Sequence, residues 1–281
     1  MADKRKKTAL VTGASSGMGK AIAKRLIKDG FQVYAAARRI DAMGDLAVLG
    51  AKLLGMDISK EGEVKTAVGI ILAEVGGVDV LVNNAGFGLY GPIEDIGISE
   101  ARYQFEVNVF GPARLTQLLL PAMRKNGAGT IVNITSMGGK IYTLLGGWYH
   151  ATKHALEGWS DCLRLELAPF GIKVVVIEPG LIETGFGEVV AEGLLKRPGS
   201  GAYVKLTQAT AKATKDAYGK DAYGKGRGTH PDVIANVVSK AVSASKPRTR
   251  YVAGKYAKPM IMIRQWLGDR VFDRVIMSQM R

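Results

Sequence analysis

Short runs of Val, Ile, Leu and Ala alternate along much of the chain with longer stretches whose apolar positions recur at helical spacing. Such short runs are typical of strands buried on both faces of a parallel sheet, and the longer stretches are typical of the covering helices. The pattern predicts strands at residues 8–12, 32–37, 52–56, 79–82, 130–134, 172–177 and 249–252. It predicts helices at residues 17–29, 60–75, 99–125, 148–169 and 231–244.

This order of elements predicts an α/β protein. Strands that alternate with helices form parallel sheets, and right-handed crossovers place helices on both faces. We therefore expect a doubly wound parallel sheet of about seven strands. A length of 281 residues suits one large domain, and no linker-like segment divides the first 190 residues. We predict a single domain that spans residues 1–281.

The alternation ends after residue 184. A stretch rich in Gly and Lys follows, and it contains the sequence KDAYG twice, at residues 215–219 and 220–224. Two copies are too few for a repeat fold. We interpret residues 185–228 as an excursion of the chain over the substrate side, with a variable surface loop as the alternative.

Charge is concentrated in the last third of the chain. Residues 191–281 hold 18 basic and 6 acidic side chains, which supply +12 of the net charge of +14. A basic surface attracts nucleic acid, anionic membranes or anionic ligands, and it also keeps a protein in solution. We favour the last interpretation and expect no nucleic-acid partner, because no nucleic-acid-binding module accompanies the charge.

Other features of the composition concern location and metals. A single cysteine, Cys162, excludes an internal disulfide and is typical of a reducing compartment. The basic run at residues 4–7 precedes only three apolar residues, too few for a signal peptide, and no run of about 18 apolar residues follows. We expect a cytoplasmic protein. The three histidines and Cys162 lack metal-ligand spacing, so we expect no metal site.

A glycine-rich turn, TGASSGMG at residues 12–19, directly follows the first predicted strand and precedes a helix. Glycines at such a turn let the backbone approach a pyrophosphate, whose charge is favoured at a helix N-terminus. The turn therefore predicts a dinucleotide site. Its candidate cofactor-binding residues are Gly13, Ser15, Ser16, Gly17, Met18 and Gly19.

The end of the second predicted strand distinguishes between two cofactors. An NAD site there would need an acidic side chain for the ribose hydroxyls, but the strand ends in Arg38 and Arg39. Guanidinium groups suit a 2′-phosphate, which they can bind with bidentate, charge-assisted hydrogen bonds. We therefore favour NADP(H), the alternative being that the arginines merely begin a solvated helix.

Candidate catalytic residues cluster before and within the helix at residues 148–169. Tyr149 and Lys153 are four residues apart and so share one helix face. A nearby ammonium can lower the pKa of a phenol by roughly one to three units from its usual value of about 10, which makes Tyr149 a plausible acid and base. Ser136 lies just beyond the strand predicted at residues 130–134, where it can bind a substrate oxygen. Asn108 is a poor helix former inside a predicted helix, so it calls for a functional reason such as holding a water.

Together, these motifs resemble the short-chain dehydrogenase/reductase family over roughly residues 8–184. The resemblance implies a Rossmann fold and the roles of the four candidate catalytic residues. Tyr149 protonates the alkoxide, and Lys153 tunes Tyr149 and holds the nicotinamide ribose. Ser136 binds the carbonyl, and Asn108 orders a water for proton relay. Residues 35–39 and 136–154 look most like the 17β-hydroxysteroid dehydrogenase-like and retinol dehydrogenase-like branch.

The resemblance also implies further cofactor contacts and an oligomer. Tyr149 and Lys153 contact the cofactor as well as the substrate, and the family pairs into homodimers or homotetramers. The remaining implied contacts lie at the ends of later strands and are Asp57, Ile58, Asn84, Ala85, Gly86, Pro179, Gly180 and Thr184.

The substrate side is predicted to be apolar. The segment after Ser136 is rich in large apolar residues and favours a lipophilic ketone, aldehyde or secondary alcohol. With the resemblance, this predicts an NADP(H)-dependent carbonyl reductase or alcohol dehydrogenase. The apolar residues are Ile141, Tyr142, Leu144, Leu145 and Trp148.

The chain ends in a basic amphipathic helix at residues 258–281. Its apolar stripe is Met260, Ile263, Leu267, Val271 and Val275. Such a helix can lie on a membrane surface, but packing on its own protein or on a second subunit is the interpretation we favour. Two other functions stay open, namely a non-catalytic nucleotide-binding regulatory module and a basic membrane-surface scaffold.

Overall fold

Seven parallel strands form the centre of the protein, whose computed structural model describes residues 6–196, 201–219 and 227–278. Their order in the sheet is β3-β2-β1-β4-β5-β6-β7. Nearly all residues of β1, β2, β4, β5 and β6 are buried, as expected of strands covered on both faces. The strands are β1 (Thr8–Thr12), β2 (Gln32–Ala37), β3 (Lys52–Gly55), β4 (Val80–Asn83), β5 (Gly129–Ile134), β6 (Ile172–Pro179) and β7 (Arg250–Ala253). Each lies within two residues of its predicted position, so the predicted doubly wound α/β fold is confirmed.

Helices cover both faces of the sheet and create two apolar layers. One layer packs α1 and α9 on the sheet, with Ile22, Leu26 and Val238 buried at its centre. The other packs α3, α5 and α6 on the opposite face, with Ile71 and Leu115 fully buried. The helices are α1 (Gly17–Lys28), α2 (Gly44–Val48), α3 (Glu61–Val75), α4 (Ile98–Phe105), α5 (Gly111–Lys125), α6 (Gly147–Leu167), α7 (Phe186–Lys196), α8 (Val204–Tyr218), α9 (Asp232–Ser243) and α10 (Ala257–Ser278).

The helix predicted at residues 99–125 is interrupted. A π-helical segment, Glu106–Phe110, separates α4 from α5. Single π-helical turns of this kind are frequent at functional sites because they change where side chains point. Asn108 lies in this segment and is buried, which explains how a poor helix former is accommodated in a helix interior.

Two helices, α7 and α8, stand in the predicted excursion at residues 185–228. They pack on each other through Val190 and Leu194 of α7 and Ala211 of α8. Sequence alone did not predict them because α8 is rich in Thr and Lys, and its helix depends on tertiary packing more than on an apolar stripe. Residues 197–200 and 220–226, which include the whole second KDAYG copy, lie outside the described residues.

The apolar stripe predicted for the C-terminal helix is wrong beyond its first turns. Gly268 has φ 71° and ψ 179°, which is not helical, so α10 is two helices joined at a kink. The kink shifts the buried positions by one residue, to Phe272 and Ile276 in place of Val271 and Val275. Phe272 and Ile276 pack with Ile141, while Leu267 and Val271 are exposed.

Candidate active site

The glycine-rich turn between β1 and α1 forms a close backbone cradle. Gly13 and Gly17 have φ values of +67° and +53°, which L side chains rarely adopt. A Cβ on Gly19 would lie 2.3 Å from the Gly13 carbonyl oxygen, so this position also requires glycine. The turn thus leaves its backbone open to a ligand.

The N-terminus of α1 faces this turn and suits an anion. Ser16 is its N-cap and makes no side-chain cap hydrogen bond, and the first turn holds no acidic residue. Backbone N–H groups at the start of a helix lack intrahelical partners and attract negative charge. The observed arrangement therefore fits the pyrophosphate that the sequence predicts.

A cleft of about 680 Å³ opens along the carboxyl ends of the strands. Its walls hold the glycine-rich turn, the ends of β2, β3 and β4, and the start of α7. This is where open α/β sheets bind ligands. Most of the predicted cofactor-binding residues line it: Gly13, Ser15, Ser16, Gly17, Met18, Gly19, Arg38, Arg39, Asp57, Ile58, Asn84, Ala85, Gly86 and Thr184.

Hydrogen bonds fix the wall between β1 and β4. The Thr12 hydroxyl accepts from the backbone N–H groups of Asn84 and Ala85, each at 3.0 Å. The Asn84 side chain donates to the Thr12 carbonyl at 2.9 Å. These hydrogen bonds within the protein therefore hold the Asn84–Gly86 segment against the glycine-rich turn without help from a bound nucleotide.

The far end of the cleft is positively charged. Arg38 and Arg39 are exposed at the end of β2, and the Arg38 guanidinium lies 3.5 Å from the Tyr103 hydroxyl. Burial raises the pKa of Asp57, but hydrogen bonds from Ser59 and the charges of Arg38 and Lys60 outweigh it and lower the pKa overall. Both guanidinium groups line the cleft and are exposed, so a phosphate in the cleft could reach them.

Ser136, Tyr149 and Lys153 come together at the start of α6. Tyr149 is 8% exposed, and the Lys153 ammonium lies 5.9 Å from the centre of its ring. The Lys153 Nζ donates to the Ile134 carbonyl at 3.1 Å and not to the phenol. Burial raises the pKa of Tyr149 to about 12, opposed by a hydrogen bond with Ser136.

The prediction that Lys153 makes the Tyr149 phenol more acidic is therefore wrong for the protein alone. Burial raises the pKa of the phenol because it penalises the charged phenolate. Burial also lowers the pKa of Lys153 to about 8, against the charge of Glu157. At neutral pH the phenol holds its proton and the lysine is mainly charged.

Asn108 clamps the cleft wall to α6. Its side-chain oxygen accepts from the Phe87 N–H at 3.1 Å, and its amide donates to the Phe87 carbonyl and the Thr152 hydroxyl, both at 3.0 Å. A Cβ on Gly86 would lie 3.1 Å from Asn108 Oδ1 and 3.8 Å from Lys153 Nζ. Gly86 thus separates the cleft from the catalytic candidates by one backbone layer, while water ordering by Asn108 stays a prediction.

Aromatic rings that the sequence did not single out cover Tyr149. The ring centres of Phe186 and Tyr90 lie 5.4 Å and 5.6 Å from that of Tyr149, and Tyr218 packs on Phe186 at 6.2 Å. Phe186 also lines the cleft, whereas Tyr149, Lys153, Pro179 and Gly180 do not. No motif could reveal this cover, because Phe186 and Tyr218 reach Tyr149 only through the packing of α7 on α8.

His150 holds the segment after Ser136, a role that the sequence analysis did not assign. Its Nδ1 lies 2.9 Å from the Gly138 carbonyl, and its Nε2 accepts from the Thr143 N–H at 3.0 Å. Burial lowers the pKa of His150 to about 4, so the ring is neutral and donates from Nδ1. The ring therefore fixes the turn that begins at Ser136.

A buried group of charges lies behind Lys153, one helical turn further along α6. Glu157 accepts from the Thr135 hydroxyl at 2.6 Å and pairs with Lys140 and Arg250, each at 3.0 Å. Burial and the Glu157 charge raise the pKa of the neighbouring Glu178 to about 7. Two features of the sequence could have indicated this group of charges. Glu157 shares a helix face with Lys153, and Glu178 interrupts an apolar strand.

The predicted substrate residues divide among three apolar clusters. Ile141, Tyr142 and Leu144 pack against α10, so they do not line the cleft. Leu145 packs beside α7 and α8, and Trp148 packs near Leu89. Only the second cluster adjoins the rings around Tyr149.

The described residues offer neither a membrane-spanning helix nor a cluster of metal ligands. None of the helices in those residues is long and apolar enough to cross a bilayer. Likewise, no group of three or more His, Cys, Asp or Glu residues in the described ranges could hold a metal ion.

Comparison with known proteins places this geometry in a family. The family described as short chain dehydrogenase matches residues 7–195. The oxidoreductase YbbO of Escherichia coli is 34% identical over 271 residues, which cover 96% of this chain and 94% of YbbO. A 3-ketodihydrosphingosine reductase of Bacteroides thetaiotaomicron is 40% identical over 178 residues, 63% of this chain and 64% of that protein.

Solved structures agree. A short-chain dehydrogenase from Streptomyces avermitilis superposes with a TM-score of 0.80 at 34% identity, covering 98% of this chain and 95% of its own. An alcohol dehydrogenase from Thermococcus sibiricus, complexed with 5-hydroxy-NADP, has a TM-score of 0.71 at 26% identity and covers 90% and 98%. A 3-ketoacyl-(acyl-carrier-protein) reductase from Brucella melitensis, complexed with NADH, has a TM-score of 0.70 at 29% identity and covers 88% and 96%. The chain belongs to the short-chain dehydrogenase/reductase family, and it is an oxidoreductase with that family's fold for a nicotinamide dinucleotide.

Proposed function

We propose that the protein is an NADP(H)-dependent carbonyl reductase or alcohol dehydrogenase with Tyr149 as its general acid and base. The observation that carries this proposal is the arrangement at Gly86. One side of Gly86 lines the dinucleotide cleft, and the ammonium of Lys153, which adjoins Tyr149, lies directly behind it. Nucleotide site and proton donor are thus neighbours.

The chemistry of reduction needs one hydride and one proton. The nicotinamide, when bound, supplies the hydride to the carbonyl carbon. Ser136 donates a hydrogen bond to the carbonyl oxygen, and the Tyr149 hydroxyl transfers its proton to the same oxygen as the new C–H bond forms. The positive charge of Lys153 then stabilises the phenolate that remains. In the free protein the phenol carries this proton at neutral pH, because burial raises its pKa to about 12.

Preference for NADP(H) is supported by the charge at the end of β2. Arg38 and Arg39 both line the cleft, and no acidic side chain occupies the end of that strand. A guanidinium matches the geometry of a phosphate, whereas ribose hydroxyls are usually bound by an acid at this position. We therefore propose that these arginines hold the 2′-phosphate.

A lipophilic substrate is supported by the surroundings of Tyr149. Tyr90, Phe186 and Tyr218 present aromatic faces next to the phenol, and an apolar cluster that includes Val190 and Leu194 adjoins them. Pockets lined in this way bind apolar ligands with few polar contacts. The name of the B. thetaiotaomicron relative, a 3-ketodihydrosphingosine reductase, is consistent with a ketone on an apolar chain.

Spectrophotometry of cofactor consumption tests this function. Purified protein is supplied with NADPH or NADH and a panel of ketones, aldehydes, steroids and quinones, and absorbance at the reduced nicotinamide band is followed. We expect NADPH-selective turnover that falls about 10²–10⁴-fold in Tyr149→Phe, the usual contribution of a general acid. The matched control is Tyr256→Phe, which removes an exposed hydroxyl outside the cleft.

Three results would contradict the proposal. A Tyr149→Phe enzyme as fast as the parent would remove the mechanism. Equal use of NADH by the parent and by Arg38→Ala would remove the 2′-phosphate assignment. NADPH binding without turnover of any panel member would favour the regulatory module.

A further inference from the structure

The second half of the protein carries an exposed apolar surface on α10 that the proposed function does not use. Trp266 is 76% exposed, Met262 58% and Leu267 57%. Every residue from 265 to 271 is exposed. Large apolar side chains grouped on a surface mark an interaction site more often than isolated ones do. We call Met262, Trp266, Leu267 and Val271 the apolar ridge.

The kink at Gly268 separates the first part of this ridge, Met262, Trp266 and Leu267, from Val271. Had the helix continued without interruption, Leu267 and Val271 would have belonged to one continuous stripe, predicted to pack on the protein itself or on a second subunit. The non-helical backbone at Gly268 instead turns Phe272 and Ile276 toward Ile141. The inner side of α10 is thus filled by other residues, and the ridge is left for an external partner.

Basic side chains accompany the ridge. Lys258, Met262 and Trp266 follow one another at four-residue intervals, so they lie in one row of the first half of α10. Arg270 and Arg274 form a similar row in the second half. All three basic residues are exposed, and none pairs with an acidic side chain within the described part of the chain.

Both acidic residues of α10 are already engaged. Asp269 pairs with Arg264 at 2.5 Å, and Asp273 accepts a hydrogen bond from the Tyr142 hydroxyl at 2.8 Å. Arg264 also stacks over the Tyr142 ring at 5.3 Å. The charge that α10 offers outward is therefore positive.

We propose that the exposed side of α10 binds the surface of an anionic phospholipid membrane. Trp266, Met262 and Leu267 would enter the boundary between headgroups and acyl chains, while Lys258, Arg270 and Arg274 would contact anionic headgroups. Tryptophan is suited to that boundary because it joins a large apolar ring to a polar N–H group. Helices with these two features lie in the plane of a membrane surface without crossing it.

Charge distinguishes this partner from a second copy of the same chain. The chain has a net charge of +14, and a symmetric pair joined through α10 would bring Arg270 and Arg274 of both copies together. Like charges repel at short range, whereas an anionic membrane attracts each of them. The combination of apolar ridge and unpaired cations therefore favours lipid.

The position of α10 gives this binding a use. Its inner side packs on Ile141 and Tyr142, which follow shortly after Ser136 in the chain. A membrane bound to the outer side would lie across α10 from the segment that follows Ser136. An oxidoreductase of lipophilic carbonyls would then work close to the phase in which such compounds dissolve.

Vesicle co-sedimentation of the full-length protein tests the proposal. The probes are vesicles of phosphatidylcholine alone and of phosphatidylcholine with phosphatidylserine in equal parts. We expect binding to the anionic vesicles only, weakening as NaCl is added because salt screens exposed charges. Each lost cation should weaken binding about fivefold, so Lys258→Glu, Arg270→Glu and Arg274→Glu together should weaken it at least about 100-fold.

Two further variants separate the apolar and electrostatic contributions. Trp266→Ala with Leu267→Ala should weaken binding to anionic vesicles at least about tenfold, since both lose apolar area that would be buried in the membrane. The matched control is Lys28→Glu, Lys125→Glu and Lys246→Glu, which makes the same change of net charge at exposed positions elsewhere. This control should retain most of the binding. Thermal unfolding of each variant verifies that the fold is intact.

Several outcomes would overturn the proposal. Failure of the parent to sediment with anionic vesicles would do so, as would equal loss of binding in the α10 and control charge variants. Light scattering, which measures the mass of the oligomer, tests the competing explanation. If Trp266→Ala with Leu267→Ala reduces that mass and the parent does not bind vesicles, α10 joins two copies of the chain. None of these results depends on turnover, so they leave the proposed oxidoreductase function to its own test.

Discussion

Glu178 should make the stability of the protein depend on pH in an unusual direction. It is 2% exposed near the end of β6, where its Oε1 has no hydrogen-bond partner and lies 3.5 Å from the Arg250 guanidinium. Burial, followed by the Glu157 charge, raises the pKa of Glu178 from 4.5 to about 7, and the cations Lys140 and Arg250 only partly oppose this.

The free energy of unfolding should fall as pH rises, because the folded and unfolded states bind different numbers of protons. Between pH 4.5 and about 7, the folded protein holds the Glu178 proton while the unfolded chain has released it. The stability that this group contributes is therefore fully present below pH 4.5 and is lost as pH rises through about 7. A shift of this size corresponds to about 3 kcal/mol, since one pKa unit is about 1.4 kcal/mol.

Urea unfolding of the parent and of Glu178→Gln at a series of pH values measures the effect. We expect the two free energies of unfolding to be similar near pH 4.5 and the variant to become about 2–3 kcal/mol more stable than the parent by pH 8. Comparison between the two proteins cancels the titration of the other acids. Glu192→Gln, which removes an exposed carboxylate, is the control and should follow the parent. A constant difference between parent and Glu178→Gln at all pH values would refute the reasoning.

Three other predictions concern the cleft and its cover. Gly19→Ala should reduce NADPH affinity by more than tenfold in a fluorescence titration, because its Cβ would meet the Gly13 carbonyl oxygen at 2.3 Å; unchanged affinity would show that the cradle is not used. Arg38→Ala should weaken NADPH about 10–100-fold, the value of a charge-assisted hydrogen bond, and leave NADH nearly unaffected. Equal weakening of both cofactors would mean that Arg38 does not contact the 2′-phosphate. Phe186→Ala should lower the pKa of Tyr149 in an ultraviolet titration, since its ring helps to bury the phenol, and no change would assign that burial to other groups.

Much of the fold could be predicted because its cause is local. Residues 8–12, 32–37 and 172–177 are mainly apolar, and short runs of this kind are typical of strands covered on both faces. The glycine-rich turn could also be predicted from the sequence, since few structures other than a tight strand-to-helix turn need its glycines. The nucleotide cleft follows from these local features together with the rule that such clefts form at the carboxyl ends of strands.

The cover over Tyr149 could not be predicted because its cause is tertiary. Phe186 and Tyr218 lie 37 and 69 residues beyond Tyr149, and they meet it only because α7 packs on α8. The pKa of the phenol depends on this burial, so the spacing of Tyr149 and Lys153 alone gave the wrong direction. Spacing identifies which groups are neighbours. Burial from solvent, which spacing does not reveal, determines the direction in which their pKa values shift.

The prediction of one apolar stripe along the C-terminal helix was wrong for a related reason. A period of 3.6 residues predicts one buried face only while the backbone stays helical, and Gly268 breaks it. Glycine is conformationally permissive, so the sequence allowed the kink without requiring it. Tertiary packing, and not helical periodicity, consequently determines which residues are buried on each side of Gly268.

A crystal structure of the protein with bound NADP⁺ tests the central claim most directly. We predict that the pyrophosphate lies against the start of α1, that Arg38 contacts the 2′-phosphate, and that the Tyr149 hydroxyl faces C4 of the nicotinamide across a space for one substrate oxygen. Such a complex would also show Phe186 displaced from the phenol. A nicotinamide bound away from Tyr149, or a glycine-rich turn without the pyrophosphate, would contradict the account.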